Sequence, residues 1–525
     1  MTPIAGPDDA AAPLSPAVPR AISHFQLLFA VSLIFILPNV ILATALRPIP
    51  AMIVVAGCAG AVLIMWRERM QGAFLRASAD AGRLALCLLL GLSLCLLGGE
   101  GHFFMPTTDW LTRDAVLSDL LRNGLTVLYR MGGQDYVLRA PLGMYLLPAM
   151  VGRVLGLYAA HLALLAQNSA LLGVAAYFIT SIADVRRAPM IFLLIGFSGL
   201  DLVGLAVGEA VAAMRGANLF GIGHTEWWLL EIWPVRLQFS SIVTQIFWVP
   251  NHAAPGVWFA TLTLLHLRRA ISFPAVLAAC GPMLLWSPLA MAGAAPFVLL
   301  LAARRPLRAL VAPGVAGACA VSLCFLPVAA YLVADAAEVS HEWLILRKDF
   351  LAFYLCFLVV EIPQAAVVLS RFKDVPKEDR AVFLLALATL LVLPIYSLGP
   401  SNDLAMRASI PALFILAFQF ARIAVLTRGE AGALPGVIST LVLLSAATPL
   451  MEIKFALVDK PYAISDCNML TTVEKFFPGA VPTNYLARRE KAPAWLVDLS
   501  GAPAPLTVED RTCWPDHPWL EEKFR

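Results

Sequence analysis

Long apolar runs alternate with short polar breaks along nearly the whole chain. Runs near 20 residues are long enough to cross a bilayer as helices. They predict spans at about 25–46, 49–66, 84–98, 159–182, 188–210, 253–268, 272–286, 288–303, 309–333, 350–370, 381–398, 408–426 and 434–450. The apolar piece 141–156 is shorter and holds Arg153, so it reads as a re-entrant or surface-lying helix.

The breaks are of two kinds. Those at 67–83, 184–187, 268–269, 304–308, 371–380 and Arg428 carry excess Lys and Arg. Those at 99–139, 212–252, 334–349 and 399–407 carry acids, histidines and tryptophans. With the N-terminus inside and about 13 spans, every basic break falls on one side, which the positive-inside rule makes the cytoplasm. Counting 141–156 as a full span would put the arginine pairs outside. Residues 1–24, rich in Ala and Pro, predict a disordered cytoplasmic N-terminus. The first apolar run is too long for a signal peptide and has no small-residue cleavage site. Residues 25–450 form the predicted transmembrane domain, and 451–525, polar with many prolines, a small periplasmic C-terminal domain.

Composition supports this reading. The chain is 60% hydrophobic and 14% charged, with mean hydropathy +0.79, whereas soluble domains carry about 25% charged residues. The fold class expected is an all-α polytopic membrane protein. A net charge of +3 is too small to imply a nucleic-acid partner. Cys58, Cys87, Cys95, Cys280, Cys319, Cys324 and Cys356 lie in apolar runs and act as small hydrophobes. No Cys or His pair has zinc-ligand spacing, so no metal ligands are expected. Cys467 and Cys513 lie in the polar tail and are a disulfide pair if that side is oxidising. No Asn-x-Ser/Thr sequon occurs, which favours a bacterial inner membrane with these loops in the periplasm.

The first long polar break, 99–139, holds the candidate chemistry. Asp109 follows an outward-going helix and is itself followed by Trp110, Arg113 and Asp114. A carboxylate there suits a general base that deprotonates an acceptor hydroxyl while a lipid-linked sugar leaves its phosphate. The equal alternative is that Asp109 caps a helix from Trp110 to Asn123, since Thr107-Thr108-Asp109 is a good N-cap cluster. Asp114 is the reserve base and Glu100 the third, with His102 beside them.

Arg407, behind Asn402 and Asp403, opens an inward-going helix, where a guanidinium can hold a lipid phosphate; the alternative is an ion pair with Asp403. Arg113, Arg347 and Lys348 are further phosphate candidates. His224, Glu226, Arg236 and His252 lie among Trp227, Trp228, Trp233, Trp248 and Trp258, as a sugar platform or as an interfacial aromatic belt. Asp201 lies inside a predicted span, where a carboxylate lines a cavity for the acceptor or couples protons.

The outward loop directly after an early span, with Asp109, Trp110, Arg113 and Asp114 near the start of a surface helix, resembles the GT-C superfamily of integral membrane glycosyltransferases. The resemblance covers topology over about 84–450. It implies a polyprenyl-phosphate-linked sugar donor, a periplasmic glycan, lipid or protein acceptor, an acidic base in that first large outer loop, and no required cofactor, with divalent-metal dependence left open. The chain departs from the simplest pattern by two additional spans before the loop. It also has Asp-Trp where many members have paired acids, so Asp109, Asp114 and Glu100 all stay candidates. A transporter or flippase for a lipid-linked or small substrate, and a glycan polymerase or ligase, are the alternatives. Transporters typically show internal repeats with matched broken helices, and none stands out in this sequence.

Overall fold

The computed structural model describes residues 21–70, 72–214, 230–231, 233–234, 236–399, 401–476, 481–517 and 520. Two helices form its centre. Pro250–Leu267 and Ile410–Leu426 are buried along almost their whole length and lie against each other. A helix that is apolar all round belongs inside a bundle.

Around them stand the five helices, among the described residues, that are long and apolar enough to cross a membrane: His24–Ala43, Pro48–Met70, Leu157–Ile182, Pro313–Leu332 and Leu434–Val458. They turn large apolar side chains such as Ile49, Met52, Leu326 and Leu443 to the outside. Outward apolar faces on fully hydrogen-bonded helices fit an integral membrane protein. Other apolar helices (Ala81–Leu97, Phe273–Met283, Pro288–Ala303) are shorter than 18 residues.

Several expected spans differ. The run 188–210 is two helices, Arg187–Ile195 and Asp201–Met214, with an unwound stretch at Gly196–Leu200 between them. The run 350–370 bends by 69° between Phe350–Glu361 and Gln364–Ser370, at Pro363, whose ring cannot sit inside a continuous helix. The run 381–398 ends as helix at Val392, and Tyr396–Leu398 pairs as a strand with His341–Trp343. The run 434–450 continues as helix to Val458, so the border expected at 451 falls within it. The short 141–156 helix spans Gly143–Leu155.

The two kinds of break collect at opposite ends of the bundle. Arg268 grips Asp379 with two hydrogen bonds of 2.6 and 2.8 Å. Arg422 pairs with Asp184 at 2.5 Å, Arg371 with Asp374 and Glu430, and Arg304 reaches the Glu378 carbonyl. Glu68 accepts from Ser272, and Arg83 donates to Tyr177, which also binds His24. These contacts tie the basic breaks into one layer. At the other end, Arg236 meets Glu342, Asn402 donates to the Arg236 carbonyl, and Arg113 reaches Asn251.

The first polar loop is not a surface arm. Its helix, Asp109–Asn123, buries Trp110, Leu111 and Ala115–Leu120. A hairpin follows, Leu128–Met131 with Gln134–Leu138, turning at Gly132 and Gly133, both with positive φ, the conformation a two-residue hairpin turn requires.

The C-terminal chain folds onto this loop. Leu486–Arg488 adds a third strand beside Gln134–Leu138. Helix Met469–Phe476 packs on the loop helix, and Cys467 and Cys513 are joined in a disulfide. At this junction Asp119, fully buried, accepts from the Tyr129 hydroxyl (2.7 Å) and the Met469 amide (3.0 Å). Burial pushes its carboxyl up to about 7.

Two outcomes follow from this junction. The disulfide closes a 46-residue separation, for which loop entropy gives roughly 4 kcal/mol, so Cys513→Ser should speed proteolysis within 459–517 while the helices stay resistant. Asp119 ionises near 4 in an unfolded chain and about 7 when folded. The folded state therefore holds the extra proton between these values, and stability falls as pH rises from about 4 to 7. Asp119→Asn should flatten that slope, read as melting temperature against pH in detergent.

Candidate functional site

The turn that leads into the loop helix is unusual in its backbone. Gly99, Gly101 and His102 all have positive φ. At Gly99 a Cβ would lie 2.3 Å from Pro106, so only glycine fits. The strained turn aims His102 inward and starts the helix at Asp109, with Thr108 before it making no side-chain cap. The expected N-cap by Asp109 is therefore not formed. Asp109 is the first helical residue, and its side chain pairs instead with Arg113 at 3.0 Å.

Asp109 keeps a side chain 42% exposed, whereas Arg113 is 2% exposed. The Arg113 guanidinium donates to Asn251 Oδ1 at 2.8 Å and to the Trp248 carbonyl at 2.5 Å, as well as to Asp109. Expected among the phosphate ligands, it is engaged by protein groups and holds Asp109 in place.

A second ion pair faces the same region. Arg407 Nη1 donates to Asp403 Oδ1, one turn earlier on the same short helix. Asn402 caps that helix through the Ala405 amide. Tyr485, from the C-terminal chain, is close enough to interact electrostatically with Arg113, Asp109, Arg407 and Asp403 together. His252 interacts with Arg407 and Arg113 and hydrogen-bonds Ser287 Oγ at 2.6 Å. Asp109, Arg113, His252, Asp403 and Arg407 thus form one group, with Tyr485 among them.

Beside this group lies a cavity of about 450 Å³, whose wall includes Thr107 and Thr108, immediately before Asp109. Phe247, Trp248 and Phe455 supply aromatic walls and Glu452 and Lys460 polar ones. Trp248 Nε1 donates to Glu452 at 3.0 Å.

Asp114 turns the other way. It is buried, with Oδ2 2.9 Å from His102 Nε2 and Oδ1 3.8 Å from His161 Nδ1. These three offer ligand atoms within 4.8 Å of one another, the group among the described residues able to hold a metal ion. Sequence spacing expected no such set, because its members sit on a loop turn, a loop helix and a span. Glu100 is buried too, accepting from Asn168 at 2.9 Å. Burial pushes its carboxyl up to about 8, so it keeps its proton at neutral pH.

Of the remaining candidates, Arg236 adjoins the Arg407 helix, its carbonyl accepting from Asn402. Arg347 and Arg236 share Glu342, with Arg347 donating twice at 2.6 Å, and Lys348 follows Arg347 on that exposed edge. His224 and Glu226 lie outside the described residues. Asp201 sits at the break between two helices, accepting from Ser198 and Thr448, with the buried Glu361 carboxyl close enough to interact with it. The second broken pair crosses there: Leu200 N donates to the Val360 carbonyl and Gln364 to the Ser198 carbonyl.

Residues missed from sequence are His161, Asn251, Tyr485 and Glu361. A histidine inside an apolar run was the available signal for His161, as for any ionisable group in a span. Tyr485, in a polar tail, offered none. No family model, curated protein or solved structure matches this chain.

Proposed function

We propose that the chain is a membrane glycosyltransferase of GT-C type that moves a sugar, with inversion, from a polyprenyl-phosphate donor to an acceptor on the non-cytoplasmic side. The observation that carries this reading is the grouping of one exposed carboxylate, Asp109, with the Arg407–Asp403 pair around Tyr485, beside an aromatic-walled cavity. The sidedness rests on the basic layer at the opposite end of the bundle.

In this reading the acceptor oxygen attacks the anomeric carbon as the bond from that carbon to the phosphate oxygen breaks. The acceptor proton passes to Asp109, the open member of the three candidate acids. Polyprenyl phosphate leaves with its electron pair, and Arg407, exchanging Asp403 for phosphate, balances the charge. Arg113 is a positioning residue. Trp248 and Phe247 give the sugar's CH faces flat walls, with Glu452 and Lys460 for its hydroxyls. The Cys467–Cys513 bond fits a periplasmic tail. The thirteen-span topology belongs to this proposal.

A second reading, transport, is favoured by one feature: two broken helices cross at Asp201 and Glu361, a construction that transporters place at their ion sites.

The decisive assay uses detergent-purified protein with a polyprenyl-phosphate sugar. Asp109→Asn should reduce transfer about 10²–10⁴-fold, and Arg407→Gln should weaken donor use while leaving the melting temperature near that of the unaltered chain. Full transfer by Asp109→Asn sinks the base assignment. Proton-coupled uptake into proteoliposomes, lost in Asp201→Asn, would replace the proposal with transport.

A further inference from the structure

We infer that His102, Asp114 and His161 bind one transition-metal dication, zinc by ligand type, which clamps the loop helix to the bundle. The inference rests on side-chain geometry and not on the reaction proposed above.

His102 Nδ1 lies 2.8 Å from the Tyr462 carbonyl. A carbonyl only accepts, so Nδ1 carries the proton and donates, and in the neutral ring Nε2 is left with its lone pair. That lone pair points at a carboxylate oxygen 2.9 Å away. Two electron pairs at that distance need a cation between or beside them. A proton on Nε2 would serve this contact alone. It would leave His161, with no side-chain exposure, with neither ring nitrogen hydrogen-bonded. It would also leave Asp114 Oδ1 without a partner. Buried polar atoms are normally satisfied, and here His102 Nε2, His161 Nδ1 and Asp114 Oδ1, each without a hydrogen-bond partner, belong to one cluster of ligand atoms. One metal ion takes up these three and leaves His161 Nε2 as the N–H of a ligating ring.

The dimensions suit it. Bonds of about 2.0–2.2 Å in a tetrahedral shell put neighbouring donor atoms about 3.4 Å apart. His102 Nε2 lies 2.9 Å from Asp114 Oδ2 and His161 Nδ1 3.8 Å from Asp114 Oδ1, and one ligand atom from each residue lies within 4.8 Å of the others, a span that small side-chain shifts close onto an ion. Two imidazoles and a carboxylate are a zinc donor set that leaves a fourth position for water. The His102–Tyr462 hydrogen bond is the outer contact that orients a ligating histidine.

The three ligands come from the turn after Ala81–Leu97, the loop helix and the span Leu157–Ile182, while Tyr462 belongs to the C-terminal chain. The ion would therefore fix where the loop helix stands, and through it Asp109, without touching substrate.

The test is metal analysis of tag-free, detergent-purified protein. Unaltered chain should carry stoichiometric zinc. Chelation should lower its melting temperature and added zinc restore it, and Co2+ in its place should show the visible bands of a tetrahedral nitrogen–oxygen site. His161→Gln should lose the metal. Should that variant fail to fold, the chelation and cobalt measurements on the unaltered chain still decide. Metal-free protein whose melting temperature ignores added zinc, or His161→Gln retaining the metal, overturns the inference.

Discussion

The geometry of the outer end depends on a single buried guanidinium. Arg113 is 2% exposed, and a charge so placed is tolerable only when it is paired and hydrogen-bonded. Its Nη1 and Nη2 donate across three pieces of chain: Asp109 on its own helix, the Trp248 carbonyl at the end of helix Ile242–Trp248, and Asn251 within the central helix Pro250–Leu267. Because Asn251 belongs to the central helix, the loop helix is fixed to a helix buried along almost its whole length. Asp109 is exposed but not free to wander. In the glycosyl-transfer reading proposed above, a carboxylate that receives a proton in a set geometry benefits from such an anchor.

The same logic, buried polarity holding segments together, recurs around this anchor. Asp119 ties the loop helix to the C-terminal chain, and Glu100 ties the turn to Asn168 in a span. Arg139 joins the hairpin end to the Leu332 and Thr483 carbonyls. The loop thus behaves as part of the core, although its sequence reads as a polar excursion between two greasy helices.

That difference marks what the sequence could convey. Hydropathy carries helix existence well, and the division of loops into basic and acidic kinds reappeared as two layers of contacts, because unpaired charge is expelled to the ends of an apolar bundle. It does not carry interruptions: 188–210 and 350–370 are mostly apolar, with Asp201, Glu209, Glu361 and Gln364 their strongly polar residues, and their breaks follow from Pro363 and from the glycines around Ser198. The site was half legible. Asp109 and Arg407 stand out as polar residues at predicted helix ends. Tyr485 and His161 become neighbours of the others only through long-range folding, which no local pattern encodes. The hairpin escaped for a similar reason, its Gly-Gly turn being short and its third strand arriving from almost 350 residues later.

The late arrival of that strand has a consequence for biosynthesis. Tyr462, Tyr485 and the strand Leu486–Arg488 are translated after every membrane-length helix among the described residues. A ribosome that has delivered all of those helices has therefore delivered a bundle whose outer face is still open. Only the final stretch of polypeptide lays the last strand and seats the tyrosines. Chains that end short of it lack the partners of Asp119, His102 and the Gln134–Leu138 strand edge.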